Sequence, residues 1–192
     1  INTTDANEII DDKQINTIFI CSRHNTHSEF ALKSLERNKN IFVEKPLALT
    51  LEELEDIKKA YSKSSSILFV DFNRRFSPLA IKAKNLLENN KLPKAINFNI
   101  NSGEIDKKSW VQDINIGGGR IIGEVCHFID FLIFLTQSEV STWNVVNMDN
   151  DTNDTVSISL KFKDGSIGNI NYFSNGNNKY PKENIEVFSG NK

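Results

Sequence analysis

Cysteine is scarce in this chain: Cys21 and Cys126 are the only two among 192 residues. They stand far apart, each among apolar neighbours, which reads as two buried thiols in a reducing compartment and not as a disulfide framework. Three histidines and two lone cysteines offer no metal-ligand spacing. Basic charge is not in excess: 23 Lys and Arg against 25 Asp and Glu leave a net charge of -2, without the footprint of a nucleic-acid binder. Long hydrophobic runs are missing as well. The longest, over residues 128–135, is interrupted by Asp130 and is too short to cross a bilayer. The chain opens at Ile1 with no methionine and no signal-peptide pattern, and it closes at Ser189-Gly190-Asn191-Lys192. Repeats and low-complexity tracts are absent. These absences point to a cytoplasmic protein with neither membrane nor nucleic acid as partner. A chain of 192 residues, 39% hydrophobic and 25% charged, can bury one good core or two modest ones.

The first third alternates in type. Residues 16–21 and 40–44 are short apolar runs of the kind found in fully buried parallel strands, and residues 66–72 form a third. A helix pattern covers residues 28–37. Thr50-Leu51-Glu52-Glu53 is a capping box that opens a second helix, to about Tyr61. Strands separated by helices predict right-handed crossovers and a parallel sheet, half of a doubly wound domain whose ligands bind beyond the strand C-termini. After Pro78 the pattern changes. One helix spans residues 79–88. Strands follow near 95–101, 142–148, 155–162, 166–172 and 185–188, with Asp164-Gly165 as a hairpin turn. Short connections imply antiparallel pairing. The boundary between the two patterns falls near residues 73–77.

Residues 117–130 are the most informative stretch. Gly117-Gly118-Gly119 allows close backbone approach and leads into an apolar helix carrying Glu124, His127 and Asp130. Spacing of three places these polar groups on neighbouring parts of one helical surface. A lone histidine in an apolar helix is usually a satisfied core residue; the flanking carboxylates and the glycine entrance favour general acid–base work for His127. Asp130 reads equally as an orienting or packing partner. Lys45, in Glu44-Lys45-Pro46, is held at the end of a parallel strand, where it can polarise a substrate oxygen; a solvated lysine carries equal weight. Ser22, His24, Asn25 and His27 follow the first strand, at the edge where a ribose or nicotinamide would lie. A plain strand-to-helix loop explains much of that segment, with His27 packing against the helix start. Asn73, Arg74 and Arg75 follow the third strand, and one guanidinium can bind an oxyanion or form a salt bridge. Trp110 can stack on a sugar face or sit half-buried in a loop.

Together, residues 44–50 (Glu-Lys-Pro-Leu-Ala-Leu-Thr), residues 71–76 (Asp-Phe-Asn-Arg-Arg-Phe) and the 117–130 segment resemble the glucose–fructose oxidoreductase, inositol dehydrogenase and MocA family of NAD(P)-dependent oxidoreductases. The resemblance covers essentially the whole chain. It implies an α/β fold: a partial Rossmann-type parallel sheet in residues 1–74, then an α+β substrate-binding domain with a mainly antiparallel sheet in residues 75–192. It implies NAD or NADP as cofactor, held by Ser22, His24, Asn25, His27, Glu44, Lys45, Pro46 and Asn73. A sugar or polyol substrate would meet Lys45, Arg74, Trp110, Glu124 and His127, with Lys45, His127 and Glu124 catalytic and no metal. In relatives the C-terminal sheet commonly supports homo-oligomers. Many members carry an aspartate four residues before the histidine, where this chain has Gly123. The family's Gly-x-Gly-x-x-Gly turn and its acidic ribose reader are missing, so the chain reads as an internal fragment of a longer enzyme. The activity implied is hydride transfer between a secondary alcohol and a nicotinamide. The alternatives are a non-catalytic cofactor or sugar sensor and an NAD-dependent, redox-neutral glycosidase.

Overall fold

The computed structural model describes residues 2–88 and 92–190; Ile1 and Asn191-Lys192, at the two ends of the sequence, lie outside the described residues. The chain divides into two compact units, Ile1–Asp71 with Trp110–Gly123, and Phe72–Ser109 with Glu124–Lys192.

In the first unit, strands β1 (Thr17–Ile20), β2 (Asn40–Glu44) and β3 (Leu68–Asp71) pair in parallel in that order. Helix α1 (Ala6–Asp11) precedes β1, while α2 (His27–Glu36) and α3 (Leu51–Tyr61) make the two crossovers. The capping box predicted for α3 is present. Thr50 Oγ1 accepts the Glu53 N–H at 3.2 Å, and the Glu53 carboxylate accepts the N–H groups of Leu49 and Thr50. Ile18, Ile20, Ile41 and Val43 point to one face of the sheet and bury against Ile10, Ala31, Leu35 and Ile57. Each of the isoleucine, leucine and valine side chains contributes about 1.5–3 kcal/mol by leaving water.

The opposite face corrects the expectation of fully buried strands. Phe19, Phe42 and Phe69 form a stacked ladder across β1, β2 and β3, with centroids 5.1 and 5.4 Å apart, and Phe19 is 68% exposed. The apolar runs therefore conceal a period of two, with isoleucine and valine inward and phenylalanine outward. The thiols need correction too: Cys21, just beyond β1, is exposed, and Cys126 is half-buried. An apolar sequence neighbourhood at a strand end does not fix burial.

The second unit holds α4 (Pro78–Glu88), β4 (Ala95–Asn101), α5 (Cys126–Thr136), β5 (Val140–Asn147), β6 (Val156–Phe162), β7 (Ile167–Phe173) and β8 (Glu183–Phe188). The five strands order as β5-β6-β7-β4-β8. The sheet is mainly antiparallel, with one departure from the expected pairing: β4 runs parallel to β7. The chain between those two strands carries α5 and the β5–β6 pair, which gives the long crossover that a parallel pair requires. Ile96, Phe98, Ile100, Leu160, Phe162 and Ile170 are buried on one face with Phe128, Leu132 and Leu135 of α5. Close packing between α5 and β7 depends on Gly168, where a Cβ would stand 2.4 Å from Leu132 Cδ2. The other face is polar: Ser157–Asn171–Asn99 and Ser159–Asn169–Asn97 are hydrogen-bonded chains across β6, β7 and β4.

Candidate active site

In the first unit, the functional groups gather where β1 and β2 end. Residues 24–26 turn in a short 3-10 helix between β1 and α2, and Ser22 Oγ lies 2.6 Å from Thr26 Oγ1. The Lys45-Pro46 peptide bond is cis. His27 is fully buried, its Nδ1 2.8 Å from Pro46 O and its Nε2 3.0 Å from Ser22 O. Its ring ties the loop after β1 to the loop after β2 and has no surface to offer a ligand. That corrects its place among the cofactor contacts, in favour of packing at the helix start.

The segment Trp110–Gly123 joins this edge. The Gly117 and Gly118 N–H groups both donate to Asp113 O, and a Cβ on Gly117 would strike Val111 and the Trp110 carbonyl at about 2.5 Å. A chain folded so tightly requires glycine there. Three contacts hold the segment: the Asn25 N–H donates to Ile116 O at 3.0 Å, His24 Nδ1 lies 2.8 Å from Gly117 O, and Lys45 Nζ donates to Gly123 O at 2.6 Å. Trp110 packs edge-on against His24, with centroids 4.8 Å apart, and beneath the Arg23 guanidinium. Burial pushes the His24 imidazole below its ordinary value. Its bond to Gly117 O opposes that shift, while His27 and Lys45 add to it. The net shift favours the neutral imidazole.

In the second unit, Asn73 opens a 3-10 turn over Asn73–Phe76 and is exposed. Arg74 places both guanidinium nitrogens on Glu183, at 2.6 and 2.7 Å, and lies 4.7 Å above the Phe128 ring. Its fork is fully engaged by one carboxylate, which is the salt-bridge reading of this residue. Arg75 likewise holds Asp130, with Nε on Oδ2 at 2.6 Å and Nη2 on Oδ1; Asp130 is 7% exposed.

Glu124 stands in a widened π turn, Ile121–Val125, that leads into α5, and such turns recur at functional sites. Its Oε2 accepts the Tyr172 hydroxyl at 2.6 Å. His127, in the first turn of α5, is half-buried with the Phe72 ring edge-on at 6.2 Å. Tyr172 and the Gly123 carbonyl escaped the sequence reading. Tyr172 sits in the alternating pattern of β7 like any core residue, and no pattern marks a carbonyl.

Residues 81–190, more than half of the chain, match the GFO/IDH/MocA C-terminal domain, and residues 2–72 match an oxidoreductase family with an NAD-binding Rossmann fold. The chain belongs to the Gfo/Idh/MocA oxidoreductase family. Among relatives of this Gfo/Idh/MocA chain, myo-inositol 2-dehydrogenase of Thermotoga maritima is 30% identical over 192 residues, covering 96% of the chain and 57% of that enzyme. The NAD(+)-dependent scyllo-inositol 2-dehydrogenase of Bacillus subtilis is 29% identical over 146 residues, 72% of the chain and 40% of that enzyme. In structure, levoglucosan dehydrogenase in complex with NADH and levoglucosan superposes with a TM-score of 0.86 at 26% identity, over 97% of the chain and 55% of that chain. The chain thus spans about half the length of the relatives it matches.

The family's fold implies NAD, and the residues present fit one end of it. Cys21, Ser22 and Arg23 are exposed beyond β1 at the Ser22–Thr26 hydroxyl pair, and the Lys45 ammonium acts electrostatically on His24 of the same loop. Hydroxyls and open backbone suit ribose hydroxyls and a carboxamide, with the cations of Arg23 and Lys45 at the same edge. The three connections that leave β1, β2 and β3 contain no glycine, so none offers the close backbone approach a pyrophosphate needs. Among the described residues, no helix is long and apolar enough to cross a membrane.

Proposed function

We propose that the protein is an NAD-dependent dehydrogenase acting on a secondary alcohol of a sugar or polyol. The observation that carries this reading is Lys45: its ammonium is fixed at the end of β2 on the carbonyl of Gly123, four residues before His127 in the chain. NAD, when bound, supplies the hydride acceptor. His127 takes the hydroxyl proton on its imidazole, and Lys45 hydrogen-bonds the same oxygen and stabilises the negative charge that develops there. Glu124, steadied by Tyr172, orients the substrate. Ser22, His24, Asn25, Glu44, Pro46 and Asn73 border the nicotinamide end, and Trp110 offers a ring face to the sugar. Arg74 would reach substrate only by leaving Glu183, so its part in this proposal is to hold β8 to the turn after β3. The same proposal assigns dinucleotide binding to residues 1–74, substrate binding to residues 75–192, and the whole to the cytoplasm, where nicotinamide dinucleotides turn over. The exposed face of the five-stranded sheet, with Val146 62% exposed at its edge, serves a second copy of the chain.

Cofactor accounting tests the reading. The full-length protein, given NAD and a panel of inositols, aldoses and anhydrosugars, accumulates NADH in proportion to oxidised product. Turnover of a glycoside without net NADH would replace the dehydrogenase by a redox-neutral glycosidase. Tight NAD binding with no turnover of any substrate would make it a sensor.

A further inference from the structure

Gly123 is a point of convergence in the first unit. Lys45 Nζ donates to its carbonyl at 2.6 Å, while a Cβ added at its Cα would stand 3.0 Å from His24 Cε1 and 3.4 Å from His24 Nδ1. The imidazole of His24 thus fills the volume that any side chain at 123 would need. The ring has little freedom to give way: Nδ1 is 2.8 Å from Gly117 O, and the Trp110 and His27 rings lie edge-on at 4.8 and 5.6 Å. With Nδ1 protonated and donating to Gly117 O, His24 grips the segment six residues ahead of the carbonyl that receives Lys45.

We propose that His24 is a positioning residue for Lys45. By clasping Gly117 and closing the space over Gly123, it fixes the carbonyl on which the Lys45 ammonium rests. The absent side chain at 123 and the imidazole at 24 are then two halves of one arrangement. This inference deepens the proposed catalytic role of Lys45 and rests on it.

The test reads Lys45 directly. In the full-length protein, a brief pulse of an amine-acylating reagent at fixed pH is followed by mass spectrometry, with Lys45 labelling normalised to Lys58, which is exposed on α3. Loss of one neutral hydrogen bond loosens the lysine's seat enough for labelling to rise roughly fivefold in His24→Ala. His24→Phe, which keeps a ring but loses the donor, labels as fast as the alanine variant, and His24→Gln, which restores a donor, returns towards wild type. Gly123→Ala, which forces the ring aside, accelerates labelling when His24 is present and adds nothing in the His24→Ala background. Unchanged labelling in His24→Ala, equal acceleration in the Gln and Phe variants, or full additivity with Gly123→Ala overturns the proposal. Should His24→Ala fail to fold, the Gln and Phe pair and Gly123→Ala decide it. The catalytic reading fails differently: Lys45→Met with undiminished turnover removes Lys45 from the chemistry and leaves the labelling result standing.

Discussion

Tyr172 is wholly buried in β7, yet its hydroxyl reaches the Glu124 carboxylate at 2.6 Å. A hydrogen bond to a charged acceptor contributes about 1.5–3 kcal/mol, twice or more a neutral one. Tyr172→Phe keeps the packing and removes that bond. It should lower kcat/KM by about tenfold and lower the denaturant midpoint by the equivalent of about 1.5–3 kcal/mol, because the phenyl ring keeps its place in the sheet but the carboxylate loses its donor. Steady-state kinetics beside a urea titration separate the two effects. Loss of stability with unchanged kinetics would make the bond structural and would detach Glu124 from substrate orientation. Some residue-level features were open to sequence reasoning. Lys45 and His127 stand in motifs with enough punctuation, a proline on one side and three glycines on the other, to be picked out. His24 over Gly123 was closed to it, because 99 residues separate positions 24 and 123 and the complementarity lies in a shape.

Local signals fixed several elements well. The bounds of β2 and the capping box of α3 follow from an apolar run ending in Glu-Lys-Pro and from Thr50 three residues ahead of Glu53. What failed was non-local. The parallel β4–β7 pair depends on where β4 inserts between β7 and β8, which no turn signal records. The outward phenylalanines of the first sheet looked buried because hydrophobicity says nothing about which face is covered. Gly168 is the element-scale test. Gly168→Ala brings a Cβ against Leu132 Cδ2 at 2.4 Å and Phe162 at 3.4 Å, and should destabilise the second unit by about 1–3 kcal/mol. Combined with Leu132→Val, which thins the partner, the cost falls below the sum of the two single changes. Equal or greater than additive loss in denaturant titrations would mean that α5 does not pack on β7 as described.

At the scale of the whole molecule, a three-stranded parallel sheet and a five-stranded mixed sheet belong to one Gfo/Idh/MocA chain. The most direct test of the central claim is single-turnover NADH formation by the full-length protein on its best polyol or sugar, comparing wild type with His127→Ala and Lys45→Met at matched NAD saturation. The account predicts that each substitution lowers the hydride-transfer rate by about 10²-fold or more, the scale of a lost general base or electrostatic stabiliser, with NAD affinity changed little for His127→Ala. Hydride transfer at the wild-type rate in His127→Ala would contradict it.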